Sequence, residues 1–295
     1  MNATQAGTTL LLSALTLLAL AYAWRWWAIE RRRAAADTAP RRPGAPDLLT
    51  GFIANFFDTL GIGSFATTTA MFKLRGRIDD DRIPGTLNVG HALPTVAQAL
   101  IFIAVVEVDL ATLLGMIAAA VLGAWLGVRV VARLPRRAIQ IGMGVALLVA
   151  AGLFLAANLN WLPGGGGALG LRGGTLAFAI AVNLLLGALM MLGIGLYAPC
   201  LILVSLLGMN PIAAFPVMMG ACAFLMPVGG GAFVRSGRYD LRAALGLAVG
   251  GIPGVLVAAF IVKSLPLEWL RWLVVAVVLV AAAQMLMSAR RAPRA

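Results

Sequence analysis

The 295-residue chain is poor in the side chains that build most enzyme centres. It holds one histidine, His91, and two cysteines, Cys200 and Cys222. A lone histidine cannot make a His-based metal site, and two cysteines inside apolar runs suggest neither a disulfide framework nor a thiolate centre. No metal or other cofactor is therefore expected. Charge is scarce as well: 12% of residues are charged, with 11 acidic side chains against 23 Lys and Arg. Short segments alternating between apolar and polar residues, the mark of a membrane β-barrel, are also missing.

What is abundant is apolar surface, 61% of all residues. Runs of about 20 apolar residues follow one another almost without pause, as in an all-α polytopic membrane protein. The net charge of +12 would point to nucleic acid in a soluble protein. Here the arginines cluster in short segments between apolar runs, so membrane topology accounts for them and no nucleic-acid partner is expected. The first run, Thr8 to Ile29, has its basic residues after it (Arg31, Arg32, Arg33), which argues for a retained helix with its N-terminus outside. Trp24, Trp26 and Trp27 belong at the cytoplasmic interface. Residues 30–47, rich in Arg, Ala and Pro, read as a cytoplasmic linker, mostly disordered.

Beyond that linker the sequence is doubled. Leu60-Gly61-Ile62-Gly63 returns as Leu192-Gly193-Ile194-Gly195 at an offset of 132, and Pro84 falls on Pro216. After a one-residue slip, Asp109-Leu110 meets Asp240-Leu241, Gly123 meets Gly254 and Leu134-Pro135 meets Leu265-Pro266. Each copy reads as a broken segment (48–72 and 176–207) followed by three spans, near 83–106, 110–132 and 138–158 in the first and near 212–234, 241–262 and 269–288 in the second. The division is thus residues 1–29 as an N-terminal transmembrane helix, 30–47 as the linker, 48–158 as repeat 1, 159–175 as a Gly-rich external loop, 176–288 as repeat 2 and 289–295 as a basic cytoplasmic tail.

Loop charge sets the orientation. Arg129, Arg133, Arg136 and Arg137 mark one cytoplasmic loop and Arg235, Arg238 and Arg242 another, while Glu107–Asp109 and residues 163–167 carry little positive charge and belong outside. These placements agree only if each broken segment enters and leaves on one side, as a re-entrant hairpin turning at Gly-Ile-Gly. Each copy then crosses an odd number of times, which inverts the second relative to the first.

Backbone that leaves helical geometry within a bilayer survives only when buried in protein or lining a wet cavity. Two inverted copies bring two such breaks together near the midplane, the architecture of secondary transporters. A helix start offers free N–H groups and partial positive charge to an anion, and glycine lets a ligand approach the backbone. Gly61, Gly63, Gly193 and Gly195 are therefore candidate substrate-binding positions, although glycines also serve close helix packing. Asn55 and Asp58 precede the first break; an intramembrane carboxylate can carry a proton, hold an arginine or backbone donors, or cap the turn. Ser64 and Thr67 can donate to an oxyanion, and threonines here can equally bond back to their own helix. Asn88 and His91 lie at helical spacing in "GTLNVGH", His91 either as a packing residue or as a proton relay. Tyr197 and Cys200 flank the second break. Lys73 and Arg75 either attract an anion or anchor the hairpin.

The doubled pattern resembles the TauE/SafE family of membrane permeases. The residues carrying the resemblance are the paired Leu-Gly-Ile-Gly turns, "YAPCL" at 197–201, and the paired Asp-Leu and Gly positions, over about residues 48–287 and without the N-terminal helix. The resemblance implies transport of small sulfur-containing anions such as sulfite or organosulfonates. Ser64 and Leu196 stand where the family has a third glycine. The expected partners are a small anionic substrate, the lipid bilayer, a coupling ion (proton or sodium) and further copies in a homo-oligomer. The expected setting is a bacterial-type inner membrane, with the C-terminus cytoplasmic. Two other classes compete, a membrane-embedded enzyme, for which Ser64 and His91 are the one nucleophile–base combination, and a non-transporting scaffold. Neither accounts for the doubled polar breaks, so no enzyme is expected.

Overall fold

The computed structural model describes residues 3–34, 42–61, 63–75, 78–79, 82–130, 166–191 and 195–264, with single residues or pairs between 141 and 159 and between 272 and 290. Most of the third span of each repeat, Gly193, residues 35–41 of the linker, and the basic tail except Arg290 lie outside the described residues. Every regular element among those described is helical; the one bridge of extended backbone joins Ala168 to Met209.

The helices are α1 (Ala3–Ala34), α2 (Ala45–Thr59), α3 (Ser64–Arg75), α4 (Ile83–Gly90), α5 (Ala92–Val105), α6 (Leu110–Val130), α7 (Gly173–Met190), α8 (Tyr197–Leu206), α9 (Ala214–Ser236) and α10 (Leu241–Ser264). Among the described residues, five stretches are long and apolar enough to cross a membrane: α1, α6, α7, α9 with the 3-10 turn before it, and α10. A sixth arises if α4 and α5, bent by 40° at His91, are one span. The sequence reads 83–106 as a straight span; the bend is a finding of the structure. The linker is also shorter than expected. Helix α1 runs on through Arg31–Arg33, good helix formers, and α2 already starts at Ala45 with Pro46 in its first turn, where a missing N–H costs nothing.

The doubled Asp-Leu pairs have a local explanation. Asp109 Oδ1 accepts the Thr112 amide at 2.9 Å and Asp240 Oδ1 accepts the Ala243 amide at 2.7 Å. Each aspartate is the N-cap of the helix that starts at the next leucine, a contribution of about 1 kcal/mol.

The doubled glycines make the helix contacts. Helix α2 packs chiefly on α10, and α7 on α6. A Cβ at Gly254 would fall 2.3 Å from the Phe52 carbonyl oxygen, and one at Gly123 would fall 1.8 Å from that of Leu184. A Cβ at Gly251 would meet Asn55, and one at Gly187 would meet the Ala120 carbonyl. Under the sequence repeat these contacts exchange: Phe52 corresponds to Leu184, Gly254 to Gly123, Asn55 to Gly187. Helix α6 thus packs on α7 in the way that α10 packs on α2.

The element ends gather into two groups. In one, Arg75 donates to the Pro46 carbonyl and to Thr50 Oγ1, Arg242 pairs with Asp47 at 3.1 Å, and Thr86 Oγ1 accepts the Asp240 amide. Helix α1 joins this group. Trp26 donates to Tyr239, whose hydroxyl donates to Glu30, and Arg33 reaches the Arg235 carbonyl. Burial raises the Tyr239 pKa, so the group remains a neutral donor toward Glu30. In the other group, Gly7 packs on Leu110, the Asp109 amide donates to the Leu169 carbonyl, and the Asn210 amide donates to that of Ala168. The first group carries Arg33, Arg75, Arg235 and Arg242; the second carries Glu107, Asp109 and Arg172.

Candidate functional site

The chain leaves helical geometry at Gly61 and Gly63 and again at Gly195. At the first, Gly61 and Gly63 take φ of 94° and 86°, a left-handed backbone that glycine adopts without steric cost. That turn ends α2 at Thr59 and lets α3 start at Ser64. At the second, α7 ends at Met190 and α8 begins at Tyr197. The two breaks face each other. A Cβ on Gly63 would touch the Cβ of Tyr197 at 3.9 Å, and one on Gly195 would touch that of Phe65 at 3.8 Å. Gly63 corresponds to Gly195 and Phe65 to Tyr197, so this contact is reciprocal too.

Around the first break lies a buried polar cluster. The Ser64 amide, first of α3, donates to Asp58 Oδ1. Gln98 on α5 donates to Asp58 Oδ2 at 2.9 Å and to Thr59 Oγ1 at 3.0 Å. The Gln98 carbonyl in turn accepts from the Tyr197 hydroxyl. A continuous chain thus runs from the α3 start through Asp58 and Gln98 to the α8 start. A second chain centres on His91, at the α4–α5 bend. Asn55 Nδ2 donates to the Gly51 carbonyl, which leaves Oδ1 as acceptor for His91 Nδ1–H at 3.1 Å. Nε2 then accepts from Thr68 Oγ1 at 3.0 Å. His91 ties α2 to α3, and neither ring nitrogen is directed at Ser64. The Ser64–His91 pair that an enzyme would need is not formed.

Of the sequence-derived candidates, Asn55, Asp58, Ser64, His91 and Tyr197 join this cluster. Gly61, Gly63 and Gly195 form the facing turns. Thr67 bonds back to the Gly63 and Ser64 carbonyls. Asn88 donates to the Pro84 carbonyl, and its buried Oδ1 has no partner among the described residues. Cys200 is a buried free thiol one turn after Tyr197. Arg75 anchors the hairpin ends rather than the cluster. Gln98 and Thr59 are not among the sequence-derived candidates. Gln98 carried a usable signal, a lone amide in the otherwise apolar run Val96–Val106, where a polar side chain needs a partner.

Asn55, His91 and Gln98 have no solvent exposure. The cleft of about 810 Å³ lies elsewhere, between α1 (Gln5, Thr9), the Glu107–Asp109 turn and Arg172. Gln98 sits seven residues before the end of α5, so the cleft mouth is about 10 Å along that helix from the cluster.

Two helix breaks meeting over a buried carboxylate, in a bundle of apolar helices, fit a permease better than a hydrolase. The sequence model of the Sulfite exporter TauE/SafE family matches residues 2–155. The chain belongs to the TauE/SafE family. It is accordingly a multi-pass membrane transporter of the sulfite or anion exporter type, with a small anion and the bilayer as partners, consistent with a role other than catalysis. The family match includes the N-terminal helix, which the resemblance read from residues 48–287 had left aside. Tyr22 and Trp26 are buried against the bundle, so in this TauE/SafE protein α1 is a packed element. No curated protein and no solved structure matched the chain.

Proposed function

We propose that the protein is a secondary transporter of sulfite or an organosulfonate, exporting the anion when it is the more concentrated inside, by alternating access around the two facing breaks. The reading is carried by one observation, the reciprocal contacts of Gly63 with Tyr197 and of Gly195 with Phe65. They unite equivalent points of the two Gly-Ile-Gly sequences and of the helices that follow them. Inverted orientation is supported by charge and by the element ends. Arg75 ties the end of α3 to the start of α2, as the Ala168–Asn210 bond ties the end of the second broken segment to its start. Each segment thereby returns to the side it came from, as a re-entrant hairpin does. The first returns to the arginine-rich side, taken as cytoplasmic, and the second to the Glu107–Asp109 side, taken as external. On this reading the N-terminus is external, the C-terminus cytoplasmic, and the domain division is that of the two repeats with an added first helix.

Substrate anions are met by backbone and amide donors rather than by arginines, since the arginines lie at the helix ends. Partial positive charge at the starts of α3 and α8 suits a compact oxyanion. Purified protein in proteoliposomes should take up labelled sulfite or methanesulfonate down its gradient. Asn55→Ala and Asp58→Ala should lower the initial rate by about tenfold or more while the protein still elutes as a folded species. Unchanged rates in both variants would dismiss the site, and no flux of either anion through wild type would dismiss the function.

A further inference from the structure

We propose that this transport is proton-coupled, one proton moving with each monovalent anion, and that Asp58 carries the proton; the inference rests on the anion-site reading above. Asp58 is 2% exposed, and no cation among the described residues pairs with it. Its two oxygens are met by the Ser64 amide and by Gln98. These are the donors that the first break has to offer an incoming anion. The carboxylate therefore stands, as an internal anion, where the substrate's oxygens are to bind. Two negative charges cannot share one desolvated donor set, because their repulsion grows as water is excluded.

A proton on Asp58 removes the conflict. It comes from water on the side to which the site is open, and the neutral carboxyl then holds the Ser64 amide weakly enough for the anion to displace it. When the anion leaves on the other side, the proton leaves with it and the Ser64–Asp58 bond re-forms. Atoms and charge balance with no further reactant.

The groups facing Asp58 allow this exchange and transmit it. Ser64 on α3 and Gln98 on α5 are neutral donors. The titratable groups near it are Tyr197 on α8 and Cys222 on α9, with Cys200 beside these two. His91 is held by Asn55 and Thr68. On α10, Arg242 is engaged by Asp47 at the helix start, and Arg75 of α3 by the start of α2. Gln98 is the transmitter. Its carbonyl accepts from Tyr197, so its NH2 must face Asp58. A proton on Oδ2 would set O–H against N–H, and the amide must turn over. Tyr197 then changes from donor to acceptor. The protonation state at the first break is thereby read at the start of the second.

The test uses wild-type protein in vesicles holding a pH-sensitive dye, with labelled methanesulfonate, a sulfonate that stays ionised throughout. Inward flux should acidify the lumen. An outside-acid gradient of about one pH unit should raise accumulation about tenfold, the limit for one proton per monovalent anion at zero membrane potential. Asp58→Asn, which offers a permanently neutral group, should abolish both the gradient-driven accumulation and the dye signal. Tyr197→Phe, which keeps the ring and removes the relay hydroxyl, should lower the protons moved per anion. Wild-type flux without dye response or gradient effect overturns the proposal even if Asp58→Asn fails to fold, and so does an Asp58→Asn protein that still accumulates. If sulfite alone is carried, the same readouts are taken with sulfite, and equal proton movement in wild type and Asp58→Asn overturns it. Absence of flux for both anions instead sinks the transporter reading.

Discussion

At the scale of single residues, Gln98 decides how the site is held together. It reaches Asp58, 40 residues earlier, and Tyr197, 99 residues later, with one amide group. Gln98→Leu would keep the volume and remove all three bonds. It would leave Asp58 Oδ2 without its donor, at about 1–3 kcal/mol, and take from the Tyr197 hydroxyl its acceptor. The expected outcome is a drop in anion flux of about tenfold or more and a lower melting temperature in detergent. A Gln98→Leu protein with wild-type flux would remove Gln98 from the machinery. His91 plays a quieter part. Its tautomer follows from the Asn55 amide, and its two bonds hold α2 and α3 at a fixed separation beside the turn.

Between elements, glycine sets the contacts. Helices in lipid have little hydrophobic drive to associate, so close backbone approach through small residues takes its place. Gly254 and Gly123 illustrate this, since an added methyl would overlap a carbonyl of the neighbouring helix. Gly254→Ala should cost about 1–3 kcal/mol by forcing α2 and α10 apart. Gly231→Ala serves as the control. It lies in α9 with open space around its Cβ position, and should leave the melting temperature unchanged or raise it. Thermal unfolding in detergent, followed by loss of monodisperse protein, separates the two. Equal effects would mean that α2–α10 contact is not what Gly254 serves.

For the whole molecule, the prediction concerns sidedness. Cys200 and Cys222 are buried, which favours labelling studies with added cysteines. Single cysteines at Asp79, between α3 and α4, and at Glu107, between α5 and α6, occupy exposed positions. In intact cells an impermeant thiol reagent should label the Glu107 position and spare the Asp79 position. Labelling of both from one side would remove the re-entrant hairpin and with it the inverted pairing. The same molecular view explains α1. Its bonds through Trp26, Glu30 and Arg33 to the α9–α10 loop, and through Tyr22 to the Val89 carbonyl, make it part of the bundle wall.

Read alone, the sequence carried the membrane class, the helical content and the end of a helix at the first Gly-Ile-Gly. These depend on local quantities: the length of apolar runs, glycine and proline within them, and the sign of charge between them. It also nominated Asn55, Asp58, Ser64, His91 and Tyr197, because polar side chains in apolar runs must find partners. Only the tertiary structure decided which partners. That Gln98 links Asp58 to Tyr197, that His91 marks a 40° bend between two helices, and that α2 packs on α10 and α7 on α6 are long-range facts. A hydrogen bond between residues 99 positions apart leaves no periodicity to read; it exists because packing brings one particular pair of side chains into one dry space.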